Sequence, residues 1–588
     1  MNVRKYFALL TVAILTAMAA CQSPTKKNDQ AIPDRKWWKE AVVYQIYPRS
    51  FKDSNGDGVG DLKGIISKLD YIKSLGIDVI WLNPIYASPN NDNGYDISDY
   101  RKIMKEFGTM ADFDSLLNGM HRRDLKLVLD LVVNHTSSQH EWFKESRSSR
   151  TSPYRNYYHW WPAEKGKPAK RYSYFDVDNN AWKYDSTTNA YYLHYFARSQ
   201  PDLNWENPEV RQKIYSMMQY WFDKGIDGFR MDVIPYISKD TTFPPIPAKY
   251  HGNFLHYYAN GPHLHQYLHE MNQKVLSHYD IMTVAEGAGV TSDEAMNFVD
   301  PQREELNMLY NFEVMGLGLR GGEYRDLDSS GVSLVQFKKI FTKWDSVYGY
   351  RGWGTIFLGN HDMPRMVTRW GNDSPEYRVL SSKMLTTFLL TMHGTPYYYF
   401  GDELGMDNIK FDSISNYRDI ETLNIYKHIK ETGGDLQRFL NNEKMIARDN
   451  GRTPFQWDTT ANAGFTSGTP WINVNPNYKT VNEVVEEKNP GSPLNYFRKI
   501  VQFRKNNLVL VYGKYELLDQ DNPNVYAYTR ELNGRKMLIL LNFTDHQAEA
   551  HLPIKMKNAK QLMGNYSEPA ENENPLSLRP YEAKVYRL

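Results

Sequence analysis

The chain has 588 residues, 70 basic side chains against 69 acidic ones, 41% hydrophobic residues and a single cysteine. Near-zero net charge excludes a globally basic nucleic-acid binder, and one cysteine excludes an intramolecular disulfide or a multi-cysteine metal site. The 43 tyrosines and 14 tryptophans are the unusual feature; flat amphipathic rings suit sugar rings, and they equally suit packing inside a large core.

Residues 1–20 start with Arg4 and Lys5 and continue as the uncharged stretch YFALLTVAILTAMAA (6–20). That stretch is shorter than the roughly 20 apolar residues a membrane helix needs, so it reads as a removable export signal. Met18-Ala19-Ala20 ahead of Cys21 resembles a bacterial lipoprotein signal. The resemblance implies lipidation of Cys21 and an exported protein, at the periplasm or cell surface, that contacts the membrane through lipid alone. Residues 21–36 are polar, contain two prolines and read as a tether.

From Trp37 onward, short apolar runs alternate with helical patterns. The runs are VVYQIY (42–47), VIWL (79–82), LVLDLVV (127–133), GFRM (228–231), IMTVA (281–285), MLYNF (308–312), TIFL (355–358) and PYYYF (396–400). Leu62–Leu75 and Val210–Phe222 carry helical spacing between them. Eight such units predict an α/β fold, a (β/α)8 TIM barrel, over 37–135 and 206–510. The connection after the third run is far longer than a helix requires. Its Tyr-, Trp- and Asn-rich part, 136–205, reads as an inserted subdomain, whose Trp160, Trp161 and Tyr172 suit packing better than glycan binding. Residues 511–588 alternate in period two between Asn/Gly/Asp turns and predict a C-terminal antiparallel β-sandwich domain.

After the first run comes Asp53-Ser-Asn55-Gly-Asp57-Gly-Val59-Gly-Asp61. Oxygen donors at alternate positions suit a structural Ca2+, with Asp53, Asn55, Asp57, the Val59 carbonyl and Asp61 around it, and Mg2+ as the other hard cation that fits. Position 12 of an EF-hand would be Gly64 rather than Glu, so this is not that motif.

The C-terminal ends of barrel strands carry chemistry, and here they are polar. Run three ends in Asp130…Asn134-His135, run four in Arg230-Met-Asp232, run five in Glu286 and run seven in Asn360-His361-Asp362. So many charges at one face would be costly as structure alone. Arg230 and Asp232 share strand parity, so both point into one barrel mouth. The arginine is expected to lower the Asp232 pKa, and partial burial to keep Glu286 protonated. Two carboxyl groups pushed apart in this way are what acid-assisted glycosidic cleavage needs.

DLVVNH (130–135), GFRMD (228–232), TVAEG (283–287) and LGNHD (358–362) resemble the four short signatures of the α-amylase superfamily, glycoside hydrolase family 13. DSNGDGVGDLKGI (53–65), DNGYDISDY (92–100), QPDLNWENPEVR (200–211) and RDNGRTPFQW (448–457) resemble its oligo-1,6-glucosidase and α-glucosidase branch, over nearly all of 37–588. The resemblance implies Asp232 as nucleophile, Glu286 as general acid and base, and Asp362 as transition-state stabiliser, in a retaining double displacement. It also implies that Arg230 orients Asp232, and that His135 and His361 bind hydroxyls of the first glucose. Tyr95 would be a stacking platform there. Asp92 with Arg448 would close the non-reducing end and make the enzyme exo-acting, with Arg452 as the second candidate for that grip. Val233 after the nucleophile is similar to α-1,6-preferring enzymes, and it is also an ordinary β-branched strand residue.

Pro235-Tyr236, Gly287-Ala288 and Met363 depart from the branch's usual residues, which leaves the leaving group open. The expected function is hydrolysis of α-1,6 and also α-1,4 glucosidic bonds of isomalto- and malto-oligosaccharides; the sequence leaves the oligomeric state open, with a monomer favoured. A trehalose- or isomaltulose-synthase-type transferase on the same scaffold is the alternative. A non-catalytic carbohydrate-binding relative ranks lower, because Asp232, Glu286 and Asp362 are all present.

Overall fold

Eight short strands run parallel in one sheet: β1 (Val43–Ile46), β2 (Val79–Leu82), β3 (Lys126–Val132), β4 (Gly228–Asp232), β5 (Met282–Glu286), β6 (Met308–Tyr310), β7 (Thr355–Ile356) and β8 (Thr395–Tyr399). The order is β6-β5-β4-β3-β2-β1-β8-β7, and a parallel bridge between Leu309 and Gly354 joins the two ends into a barrel. Each strand falls on one of the eight apolar runs. The runs are short and continuous rather than alternating because a barrel strand is buried on both faces, by the barrel interior and by the surrounding helices; all but Lys126 of β1–β5 is buried.

The computed structural model describes residues 34–176, 179–320, 326–349, 351–554, 556, 558–567 and 576–588. The export signal, Cys21 and the tether up to residue 33 lie outside the described residues. Among the described residues, no helix is long and apolar enough to cross a membrane.

The helical pattern 62–75 forms two helices, α1 (Leu62–Ser67) and α2 (Leu69–Ser74), which meet at Lys68, where the backbone leaves helical geometry. The second pattern forms α3 (Pro208–Lys224). Asn207 caps its start by accepting from the Glu209 N–H, and Pro208 supplies a first-turn φ with no wasted donor. Gly225 ends it at φ 106°, a left-handed conformation that a side chain would resist. Residues between β3 and α3 include helix Glu141–Ser148 and a three-stranded antiparallel sheet of Trp160–Pro162, Ala190–Leu193 and Trp182–Asp185, and their buried side chains share cores with barrel residues. Trp160 stacks on Phe143 with Arg155 over its ring, and Tyr172 lies against Phe254, so both rings are engaged in packing.

The stretch Val509–Tyr512 is a helical turn rather than a strand, and the C-terminal sheet begins at Lys514. That sheet has five antiparallel strands. One face packs on a two-stranded ribbon, Ala548–Glu549 with Ser577–Leu578, through Ala527, Leu538 and Leu540. The other face, with Tyr526, Tyr528 and Ile539, belongs to the core shared with the barrel. The second layer of the expected sandwich is thus only a ribbon, because barrel helices already cover the other side.

Candidate active site

Strand register brings the charged residues together. Asp130 on β3 lies opposite Arg230 on β4, and Val132 opposite Asp232. Arg230 donates from one guanidinium nitrogen to Asp130 Oδ1 and to Asp232 Oδ1, each at 2.6 Å, and its other nitrogen reaches Glu286 Oε2 at 2.6 Å. One buried arginine therefore spans three carboxyl groups on adjacent strands. It also lies 5.2 Å from the Trp81 ring centroid, which fixes its position from below.

This geometry corrects one expectation. Burial, then the charge of Glu286, pushes the Asp232 carboxyl well above its ordinary range, and Arg230 only partly offsets them. Desolvation wins because a single guanidinium is shared by three acids in a water-poor site. Asp130 is also raised, to about 6, by burial. The acids around Arg230 titrate as a coupled set that favours holding a proton, and the reaction proposed below uses the form in which that proton sits on Glu286 and Asp232 is ionised.

Val233, directly after Asp232, holds φ 33° and ψ 38°. A β-branched residue in left-handed geometry is strained by about 1–3 kcal/mol. The turn aims its N–H at Glu286 Oε2, 2.9 Å away. Val233 thereby anchors one carboxyl group with its backbone while its side chain lines the cavity beside it.

Asp362 is held by Arg448 at 3.0 Å and Arg452 at 3.2 Å. Burial raises its pKa, yet neighbouring His361 and the guanidiniums of Arg448, Arg452 and Arg230 outweigh that and keep it well below the usual carboxylate range. Burial pushes His361 down to about 3, so it is neutral. Its Nδ1 faces the Gln45 amide nitrogen at 2.9 Å, which makes Nδ1 the acceptor and leaves Nε2–H to face the Tyr95 hydroxyl at 2.6 Å. The Tyr95 ring is stacked on His361 at 5.2 Å, so that face is taken by protein. His135 is likewise neutral, lowered to about 3 by burial, and its Nε2 lies 3.2 Å from the Tyr95 carbonyl.

Asp92 accepts from Gln200 at 2.9 Å, and its influence on Arg448 is electrostatic rather than a direct contact. Arg448 lines the cavity; Arg452 is 2% exposed and its Nε donates to the His361 carbonyl. Of the two arginines, Arg448 is therefore the one placed to face a ligand. Burial pushes Asp92 up to about 7 against the pull of Arg448 and Gln200. A carboxyl raised by folding contributes most stability below its unfolded pKa, near 3.9, and that contribution is lost as pH rises through about 7. Asp92→Asn is therefore expected to melt higher than the wild type at pH 8, by up to about 4 kcal/mol of stability, with the gap closing near pH 4. At pH 8, where Asp92 is ionised, the same variant is expected to lose about two to three orders of magnitude in kcat/KM if Asp92 is the charged acceptor for a sugar hydroxyl that the resemblance implies. Melting curves at the two pH values, beside glucose-release rates, check both halves.

Val233, Glu286, Asp362 and Arg448 line one cavity of about 530 Å³, whose lining also includes Phe312, Met315, Asn424 and Ile425. Two carboxyl groups and an arginine on one cavity, with Asp232 tied to one of them through Arg230, suit cleavage of an acetal.

A model of the α-amylase catalytic domain matches residues 45–513, and one of the maltogenic amylase C-terminal domain matches 515–585. The chain belongs to the α-amylase family. It is a glycoside hydrolase with the family's barrel. It is 52% identical over 563 residues to an oligo-1,6-glucosidase of Parageobacillus thermoglucosidasius, covering 94% of this chain and 99% of that one. It is 51% identical to an oligo-1,6-glucosidase of Bacillus cereus, covering 94% and 100%. Among solved structures, an isomaltulose synthase from Protaminobacter rubrum superposes with a TM-score of 0.89 at 46% identity, covering 94% and 99%.

Sequence reasoning missed Asp419. It is fully buried and bonds both Arg448, at 2.5 Å, and Arg452, at 3.1 Å. No local pattern marks it; it precedes the helix α4 (Ile420–Thr432), which it caps. Also missed were Gln45, which faces His361, Asn83, whose amide donates to the Tyr95 hydroxyl at 2.7 Å, and Gln200, which donates to Asp92 and begins the quoted string QPDLNWENPEVR. In the loop 53–61, Asp53 accepts from the N–H groups of Asn55, Gly56 and Gly58 and from the Thr466 hydroxyl. Asp61 accepts from Ser54 and caps α1 through the Gly64 N–H. Asp57 accepts from the Val59 N–H and the Asn55 amide. The donors are all oxygen, as a hard cation requires, but among the described residues no three acidic, His or Cys side chains are grouped so as to hold a metal ion. A bound ion would have to replace some of these hydrogen bonds.

Proposed function

We propose that this chain is a retaining, exo-acting α-glucosidase that hydrolyses α-1,6 bonds, and α-1,4 bonds as a second class, at the non-reducing end of isomalto- and malto-oligosaccharides. The observation that carries it is Arg230 bridging Asp232 to Glu286, which lines one cavity with Arg448 and Asp362. Asp232 attacks C1 of the terminal glucose while the C1–O bond breaks and the Glu286 proton goes to the leaving oxygen. Glu286, now a carboxylate, takes a proton from water, which attacks C1 and releases Asp232; two inversions give retention. Asp362, ionised under its arginines, accepts hydrogen bonds from sugar hydroxyls and offsets the positive charge that develops at the ring. Neutral His135 and His361 serve as hydroxyl partners, Tyr95 lines the same subsite, and Asp92 with Arg448 closes the pocket. Val233, facing the leaving side, supports the α-1,6 preference, as do the names of the relatives.

A synthase-type reading has one support, the likeness to an isomaltulose synthase. Product analysis separates the two. Isomaltose, maltose, trehalose and sucrose are offered separately to a form lacking residues 1–21, with the first product anomer read by NMR. Preferential release of α-glucose from isomaltose is expected. Faster maltose cleavage would move the assignment to an α-1,4-glucosidase, and new disaccharide would favour the synthase.

The proposal includes lipid attachment at Cys21 outside the cytoplasm, carried by the composition of residues 1–21, and a structural Ca2+ (or Mg2+) at residues 53–61, carried by donor chemistry. The loop's acidic side chains bond within the loop and to Thr466 rather than to the carboxyl cluster, so the ion would supply rigidity and no catalytic step. Chelation is expected to lower the melting temperature by about 2–5 °C, reversed by Ca2+. An unchanged melting curve after exhaustive chelation would reject the ion.

A further inference from the structure

Asp362 is one corner of a closed ring of charges. Arg448 gives one guanidinium nitrogen, Nη1, to Asp362 Oδ1 at 3.0 Å and the other, Nη2, to Asp419 Oδ1 at 2.5 Å. Arg452 repeats the pattern, with Nη2 on Asp362 Oδ1 at 3.2 Å and Nη1 on Asp419 Oδ1 at 3.1 Å. Two arginines thus stand between two carboxylates, and each is bonded to both. The Phe175 ring lies 5.1 Å from the Arg448 guanidinium and the Tyr47 ring 5.8 Å from that of Arg452, so each cation also has an aromatic neighbour.

The two oxygens of Asp419 have different tasks. Oδ2 accepts from the N–H and the hydroxyl of Thr422 and caps α4. Oδ1 serves the arginines. Burial opposes ionisation of Asp419, but the charges of Arg448 and Arg452 outweigh it and hold the carboxyl below its ordinary range. A helix cap needs one acceptor oxygen and no charge, so the cap does not account for the rest of the group. Glu421 also approaches Arg448, at 3.5 Å, whereas Asp419 joins both arginines.

Cleavage of a glycosidic bond builds positive charge on the sugar ring. Arg448 and Asp362 line the cavity where that happens, and Asp419 does not. With Asp362 as their shared counter-charge alone, the two arginines would leave this corner net positive. Asp419 brings the ring of four to neutrality, and leaves the field of Asp362 available to the sugar.

We propose that Asp419 is a positioning residue of the reaction: it holds Arg448 and Arg452 in place and supplies the charge that keeps them from cancelling Asp362. This rests on the glucosidase reading above.

The test is Asp419→Asn in the full chain. Asparagine keeps the size of the side chain and caps helices as well as aspartate does, so a residue that only caps α4 predicts little change. The expected loss in kcat is about tenfold, the order of one unit charge acting from roughly 10 Å at an effective dielectric near 20. It should be the same on isomaltose and on nitrophenyl α-glucoside, because the ring gains charge with either leaving group. A second readout needs no turnover. Calorimetry compares 1-deoxynojirimycin, a glucose-shaped amine, at a pH where it is protonated, with glucose. Binding of the cation is expected to weaken about tenfold more than binding of glucose. Asp419→Ser, also a capping residue, carries the same expectations should Asp419→Asn not fold. An unchanged cation-to-glucose ratio overturns the proposal even if kcat falls, and assigns Asp419 to the fold alone. An unchanged kcat on both substrates overturns it too. A shifted ratio, with a wild type that does not cleave isomaltose, supports the charge role and overturns the α-1,6 reading. A wild type that binds neither ligand overturns both.

Discussion

Asp232→Ala is expected to lower glucose release from isomaltose by about four to six orders of magnitude, the scale of removing a covalent nucleophile. The argument is positional. Asp232 ends β4, shares Arg230 with Glu286, and lies beside the turn whose N–H holds Glu286. Loss of activity alone would not identify a nucleophile, because removing a charge from a buried cluster can disturb its neighbours. Two further readouts do. Burial and the Glu286 charge raise Asp232, so its ionised form weakens the fold as pH rises, and the variant is expected to melt no lower than the wild type at pH 7. Azide can enter the space left by the carboxylate. With a nitrophenyl α-glucoside it should restore turnover and give the β-glucosyl azide, a single inversion from the nucleophile's side. An α-azide, or residual activity above a hundredth of wild type without azide, would remove Asp232 from that role.

Glu286→Gln is expected to lower kcat/KM for isomaltose by about three to four orders of magnitude, but to cost less than about a hundredfold with nitrophenyl α-glucoside. A nitrophenolate leaves without a proton, whereas a sugar alkoxide does not. The amide oxygen of glutamine can still accept from the Val233 N–H, so the strained turn keeps its partner. Equal losses on both substrates would mean that Glu286 positions Arg230 rather than supplying a proton. Steady-state kinetics on the two substrates, with circular dichroism to confirm the fold, decide the matter.

The barrel was legible because its strands have a signature that survives without coordinates. Runs such as VIWL and PYYYF are short, apolar and buried on both sides, and each becomes one strand. The polar residues that end them were legible for the opposite reason: Asp232, Glu286 and Asp362 stand where a core would not place charge. The C-terminal sheet could be read from alternation, but not what covers each face. That depends on the barrel helix that brings Thr391 to the Tyr528 hydroxyl at 2.6 Å, 137 positions away.

What the chain determines by itself is local: strand positions, helix caps such as Asn207 and Gly225, and the kinds of group offered at each strand end. Periodicity and propensity act over a few residues, and one sequence contains that range in full. What the tertiary structure decides is every property that depends on distance between remote segments. Asp419 clasps Arg448 and Arg452, Gln45 sets the tautomer of His361 across 316 positions, and His361 occupies a face of Tyr95. The direction of the Asp232 shift belongs to the same class. Adjacency to Arg230 in the strand argues for a lowered pKa, but burial and two further acids on neighbouring strands reverse it, because desolvation and charge–charge terms are summed over space and not along the chain.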